Sequence, residues 1–363
     1  MSTSKPSPIM QQLTASMNAG SAQYRGADFH EPKLQDFVSF DEDSTSRRIL
    51  ASQCTATLGS PAKADAIRLI SWNIDVLVPF AEERMSAAIV YLKGLVASTP
   101  PDIAMIIFLQ EMSPSDLGQL AEAKWIQECF YLTDVDNGHW LSQYYGTTTL
   151  IDKRLMVNRV FRVPFASNFN RDGLFVDIAL SRGGSLQHGD MVLRLCNVHL
   201  ESLVADPPVR PGQLKAAAEY LGKADVACAL LAGDTNAIQP FDRTLHLENG
   251  LKDAYLELGG QEDSDEGYTW GYQVAQWMKD KFGCSRMDKI MFSGVVQPKR
   301  FERIGMGVKV ADEHVARVKE AGELEWVTDH YGVMGDFELC EGWNLRTAST
   351  EKEIPRTKLS GVL

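Results

Sequence analysis

Between Ala66 and Leu339, apolar runs alternate with segments whose apolar residues recur every three or four positions. The runs AIRLISWNI (66–74), IAMIIFLQ (103–110) and ACALLAGD (227–234) are short, aliphatic and β-branched, which predicts strands covered on both faces. Between the first two, Met85, Ala88, Ile89, Leu92, Leu95 and Val96 share one helical face. Ser113 and Ser115 then offer N-caps for a helix running to about Phe130. From Tyr144 to Leu200 the pattern reads as several short strands, parted by turn signals at Arg171-Asp172-Gly173 and Arg182-Gly183-Gly184. Pro211 opens a helix carrying Leu214, Ala217, Ala218 and Leu221. RMDKIMFSG (286–294) and YGVMGDFEL (331–339) predict late strands, and the acidic stretch GGQEDSDEG (259–267) reads as a solvated excursion. This order predicts an α/β fold, a four-layer α/β/β/α sandwich of two mostly antiparallel β-sheets flanked by helices.

Outside this region the pattern fades. Residues 1–36, rich in Ser, Ala, Gln and Gly, predict a disordered segment. Residues 37–65 predict a weakly structured lead-in with an edge strand, 66–345 one domain, and 346–363 a tail. No apolar run reaches the length of a membrane span, and the N-terminal stretch has no continuous apolar segment of the secretory kind. No membrane association is therefore expected. The six cysteines form no CxxC pair, which points to a reducing compartment, nuclear or cytoplasmic. A net charge of −12 changes the picture most. It disfavours a protein that wraps duplex DNA, because phosphate neutralisation needs a basic face. It equally serves solubility alone.

The candidate chemistry lies where apolar strands end. Asn73 and Asp75 close the first strand, Gln110-Glu111 the second, His199 and Glu201 the run MVLRLCNVHLES, and Asp234 and Asn236 the run ending GDTN. Asp288 sits within RMDKIMF, and Asp329-His330 precede the last strand. Singly, each is ordinary as a turn residue, helix cap or structural histidine. Together they form the set of acids, amides and histidines that a hard cation and a phosphate require.

SWNID, LQE, HLES, GDTN, MDKI and TDH, in this order from Ile67 to Leu339, resemble the motif set of the endonuclease/exonuclease/phosphatase superfamily. Within it, HLES, GDTN and the DAY…YTW…RMDKIMF stretch are similar to the type-2 tyrosyl-DNA phosphodiesterases, which release a protein tyrosine from a 5′ DNA phosphate. The resemblance implies a magnesium-dependent phosphodiesterase in DNA repair, with Mn²⁺ able to substitute. It makes Glu111 the direct metal ligand, completed by Asn73 and supported by Asp75 and Asp329. It makes Asp234 the base for the attacking water, with Asn236 and His199 on phosphoryl oxygens and Asp288 as the partner of His330. Trp270 is placed near the substrate's 5′ end, against a plain reading as a core tryptophan, and Ser202 near phosphate. Arg171 matches a family arginine loosely, against a plain reading as a solvated loop residue. The implied partner is a DNA 5′ end carrying a tyrosine adduct, met by a monomer with a small footprint. The chain departs from the pattern at Val76 and Val78, and at Ala237 and Ile238, where a basic residue is expected. A sibling enzyme on an inositol-phosphate or phospholipid ester, and a non-catalytic binding protein, remain alternative readings.

Overall fold

The computed structural model describes residues 29–40, 46–49, 65–183 and 191–347. The disorder predicted for residues 1–28 and the tail beyond Thr347 lie outside the described residues. Three short strands come first: β1 (Lys33–Leu34), β2 (Phe37–Phe40) and β3 (Ser46–Ile49). Leu34 pairs with Phe161 of a later strand, so order begins before residue 37, earlier than the pattern predicts.

The apolar runs form the central strands. β4 (Ala66–Asn73) and β5 (Ala104–Met112) are parallel, joined by α1 (Ala81–Ser98), which buries Met85, Ala88 and Leu92. Burying one such aliphatic side chain is worth about 1.5–3 kcal/mol. Ser113 caps α2 (Pro114–Glu122) with a reciprocal bond to Asp116. The helix predicted to reach Phe130 is instead two helices, since the chain extends at Ala123 and resumes as α3 (Lys124–Cys129). At about 100° per residue, a straight helix would turn Ile126 to the face opposite Leu117. The break lets both be buried.

The chain continues through β6 (Phe130–Leu132), β7 (Gly146–Asp152), β8 (Val157–Pro164), β9 (Asp172–Arg182) and β10 (Val192–His199). Asp172 and Gly173, expected in a turn, are the first residues of β9, and the turn precedes them. Next come α4 (Arg210–Leu221), β11 (Val226–Asp234), α5 (Leu245–Glu248), β12 (Lys252–Asp253), α6 (Ala254–Glu257) and α7 (Gln276–Phe282). The last elements are β13 (Asp288–Gly294), β14 (Val296–Ile304), α8 (Asp312–Glu320), β15 (Gly332–Leu339) and β16 (Trp343–Leu345).

One sheet has the order β1-β8-β9-β10-β11-β13-β12, with β16 on β9, and the other β14-β15-β4-β5-β7-β6-β2-β3. Only β4/β5 and β10/β11 pair in parallel among the described strands. The sheets face each other across a core that includes Leu69, Ile106, Val176, Leu195, Leu230 and Ile290. α1, α2 and α3 cover the outer face of one sheet, and α4 covers the other. The fold is thus the predicted pair of mostly antiparallel sheets flanked by helices. No helix of the described residues is long and apolar enough to cross a membrane.

Candidate active site

The two parallel pairs end at the same edge of the sandwich. In β4/β5, Asn73 stands in register with Gln110, and in β10/β11 His199 stands in register with Asp234. Carboxyl ends of parallel strands are where open α/β sheets present ligand-binding groups. β13 runs antiparallel to β11 and sets Asp288 opposite Asp234. The segment before β15 returns to the same place. Thr328 Oγ1 donates to the Asn73 carbonyl at 2.8 Å, and the Trp72 indole donates to the His330 carbonyl at 3.2 Å.

Glu111 reaches the site through a backbone irregularity. Leu109 pairs with Thr148 and Met112 with Gly146, so β5 holds one residue more than β7 between them, a β-bulge. Within it Glu111 adopts φ +54°. Asp75, Asn170, Leu203 and Asn236 also have positive φ around this edge. Such conformations cost roughly 1–3 kcal/mol each and concentrate at functional sites.

The polar groups meet. Asn73 Nδ2 lies 3.0 Å from Asp234 Oδ2 and 3.4 Å from Glu111 Oε1. The Asn73 amide oxygen accepts from the Asp75 backbone N–H at 2.9 Å, which fixes the amide's orientation and gives Asn73 a donor's place between the two carboxylates. The Val76 N–H donates to Glu111 Oε2 and the Asn236 N–H to Asp234 Oδ1. The Asn236 side chain donates to the Leu200 carbonyl. His330 Nδ1 is 2.8 Å from Asp288 Oδ2, and its Nε2 is 3.7 Å from Asp234 and 3.8 Å from Asp329.

The two histidines hold different protonation states. Burial, with Arg171 and His330 adding to it, pushes His199 well below its usual pKa, so it is neutral. Arg171 Nη1 lies 2.8 Å from His199 Nδ1 and can only donate, so Nδ1 accepts and the proton resides on Nε2. His199 Nε2 lies 3.3 Å from Asp234 and 3.6 Å from Glu111, and its N–H makes no hydrogen bond within the protein. For His330 burial opposes the charged form, but Asp288, Asp329 and Asp234 outweigh it and hold the ring well above its usual pKa, as an imidazolium.

The carboxylates lack enough cations. Burial pushes Asp75 well up, and Asp329 and Glu111 push it further. Burial likewise raises Glu111, partly offset by Arg171, and Asp234, partly offset by His330. Glu111, His199 and Asp234 bring ligand atoms within 4.8 Å of one another. Because the His199 Nε2 carries its proton, the free lone pairs facing the gap belong to oxygens. An oxygen donor set with excess buried negative charge fits a hard divalent cation such as Mg²⁺.

At the rim, Arg171 is a correction. It is buried, 5% exposed, rather than a solvated loop residue. Its guanidinium lies beside the rings of Tyr145 and Phe169, centroids at 5.3 and 5.5 Å, and donates to Ser202 Oγ at 2.8 Å. Glu201 is also buried and holds the turn bearing Arg171 through Ser167 Oγ and the Asn168 N–H. Trp270 is 8% exposed, and its indole N–H donates to Asp329 at 2.7 Å. Its observed part is to hold an acid, with little face left open. The sequence reading missed α7, which buries no residue and exposes Trp277 and Phe282 beside Lys281. The Phe282 ring meets Trp270 edge-on at 6.4 Å. The signal was present as QWMKDKF, two aromatics and three charges with no apolar face. Glu262, within the supposedly solvated acidic stretch, is instead paired with buried Arg286 and Lys289.

In fold the chain is similar to humanised D. rerio TDP2 carrying 14 mutations, with 23% identity, a TM-score of 0.55 and coverage of 75% of this chain and 98% of that one. It is similar to D. rerio TDP2 complexed with a single-strand DNA product, at 22% identity, TM-score 0.54 and the same coverage. TDP2 from C. elegans matches at 24% identity and TM-score 0.55, over 75% of each chain. No curated protein matches the chain by sequence. Residues 70–330, well over half the chain, match the Endonuclease/Exonuclease/phosphatase family, and the chain belongs to that family, whose members are generally hydrolases of phosphoester bonds.

Proposed function

We propose that the protein is a Mg²⁺-dependent phosphodiesterase that hydrolyses a 5′-phosphotyrosyl bond between DNA and protein. One observation carries the reading: Glu111, Asp234, His199 and His330 converge on one gap with complementary protonation states. Glu111 would hold the cation, with Asp75 and Asp329 supporting the site electrostatically. When bound, Mg²⁺ supplies positive charge to a phosphoryl oxygen and offsets the surrounding carboxylates.

The protein groups divide the remaining work. Asp234, oriented by Asn73 and the Asn236 N–H, accepts a proton from the attacking water. The new bond joins water oxygen to phosphorus, and the phosphorus–phenol oxygen bond breaks. His330, kept cationic by Asp288, and the Nε2–H of His199 donate to the non-bridging oxygens as charge builds there. A phenol's pKa of about 10 lets it leave as phenolate without a dedicated acid. The products are a DNA 5′-phosphate and a free tyrosyl group.

The rim at α7 supports the substrate class. Trp277, Phe282, Lys279 and Lys281 on α7 offer aromatic faces and cations, which suit a single strand. Across the site, Arg171 is buried against Tyr145 and Phe169, and its part is to fix the tautomer of His199. The net charge of −12, and Ala237 and Ile238 where a cation is expected, favour a second reading as a sibling enzyme on another phosphoester. Incubation with Mg²⁺ and a 5′-phosphotyrosyl oligonucleotide, an inositol polyphosphate or sphingomyelin separates the two. Preference for either of the latter displaces the tyrosyl reading.

A further inference from the structure

Beyond Phe169, an open cleft of about 530 Å³ lies between the 166–169 turn and the 202–209 loop. Ser202 joins it to the site, since its hydroxyl accepts from Arg171, which in turn contacts His199. Buried side chains build the walls. Arg210, 2% exposed, donates to the carbonyls of Glu201 and Leu203 and pairs with Asp242. Gln213 bonds both Glu201 and the Ala166 carbonyl, tying one wall to the other.

The lining is apolar at its open part, with Leu203, Val204 and Pro207 exposed to it. No cation lines it, and its charged residues are Glu201, already bonded within the protein, and Asp206. A nucleic-acid strand would find no cationic partner for its phosphates there. The rim at α7 carries lysines and exposed aromatics. The two surfaces therefore differ in both charge and polarity.

We infer that this cleft seats the polypeptide on the leaving-group side of the ester, taking an uncharged aliphatic side chain within a few residues of the tyrosine. The inference rests on the tyrosyl phosphodiester reading and assigns its second half, the protein adduct, to a definite surface. Seating one aliphatic side chain corresponds to about a tenfold gain in kcat/KM.

The test compares three Mg²⁺-dependent substrates built on one oligonucleotide. These carry 5′-phosphotyrosine alone, the same tyrosine within a leucine-rich hexapeptide, and the same tyrosine within a glutamate-rich hexapeptide. The expected result is about tenfold higher kcat/KM for the leucine-rich adduct than for tyrosine alone, and no gain for the acidic one. Val204→Asp, at a position 69% exposed and outside the core, should bring the leucine-rich ratio down toward one. Equal rates on all three adducts overturn the cleft assignment while leaving the phosphodiesterase intact. A preference for the glutamate-rich peptide, or a V204D ratio equal to that of the unmodified protein, also overturns it. Absence of hydrolysis on all three overturns both readings.

Discussion

Neighbouring residues of β13 enter two buried charged clusters that are completed in different ways. Asp288 faces the gap and pairs with His330, whereas Lys289, on the other face of the strand, meets Glu262 at 2.9 Å. Arg286 joins that second cluster, contacting both Glu262 and Asp253. There, burial pushes Glu262 up, but Lys289 and Arg286 outweigh it and hold its carboxyl below the usual range. In the gap, burial keeps Asp75, Glu111 and Asp234 above theirs despite Arg171 and His330. One cluster is finished by its own chain, and the other is left short of cations, as the proposed metal-dependent function requires. Buried charge in a protein is therefore structural where its partners are internal, and chemical where they are missing.

Substitution should separate the clusters sharply. Asp234→Asn and Glu111→Gln each lower turnover by about three orders of magnitude or more. Each leaves the metal-free melting temperature unchanged or higher, because an uncompensated charge has gone. Hydrolysis assays beside thermal denaturation check both halves, and full activity in either variant removes the mechanism. Glu262→Ala should behave the opposite way. It strands buried Lys289 without its partner, while Arg286 keeps Asp253, and costs about 3–5 kcal/mol in urea unfolding. A loss near zero would erase the distinction between the clusters.

Cation binding gives the next effect. The carboxyl groups of Asp75, Glu111 and Asp234 have folded pKa values above their unfolded ones, so the folded state holds more protons in that window. Stability of the metal-free protein therefore falls as pH rises through it. The raised pKa of His330 acts in the same sense, its contribution being complete below the unfolded value and lost as pH rises through the folded one. Mg²⁺ at about 100 times its Kd should add roughly 2.7 kcal/mol above that window, and much less below it. Thermal shifts at pH 5 and pH 8, with and without Mg²⁺, read this directly. A pH-independent shift would mean that these carboxylates do not hold the ion.

The smallest effect concerns the tautomer of His199. Arg171→Met removes the donor to Nδ1 and should lower kcat about 10- to 100-fold. NMR of the histidine ring nitrogens should show the Nε2–H form replaced by a mixture. An unchanged tautomer would leave Arg171 with its contacts to Ser202, Tyr145 and Phe169 alone.

The apolar runs at 66–74, 103–110 and 227–234 were enough to place β4, β5 and β11, because strands buried on both faces must be mostly apolar. The strand-end polar set was legible for a related reason, as charge at the end of such a run demands a partner. The break at Ala123 and the start of β9 at Asp172 were not, since packing rather than propensity decides both.

Taken alone, the sequence determined the layered α/β fold, the family and the group of residues that meet. Tertiary structure decided what each residue meets. Arg171 became a buried donor to His199, Trp270 a tether for Asp329, and Glu262 a structural anion. Protonation and exposure depend on neighbours tens to hundreds of positions away, such as Asp288 for His330. Local pattern carries burial, but only the folded chain brings together the charges that set a group's chemistry.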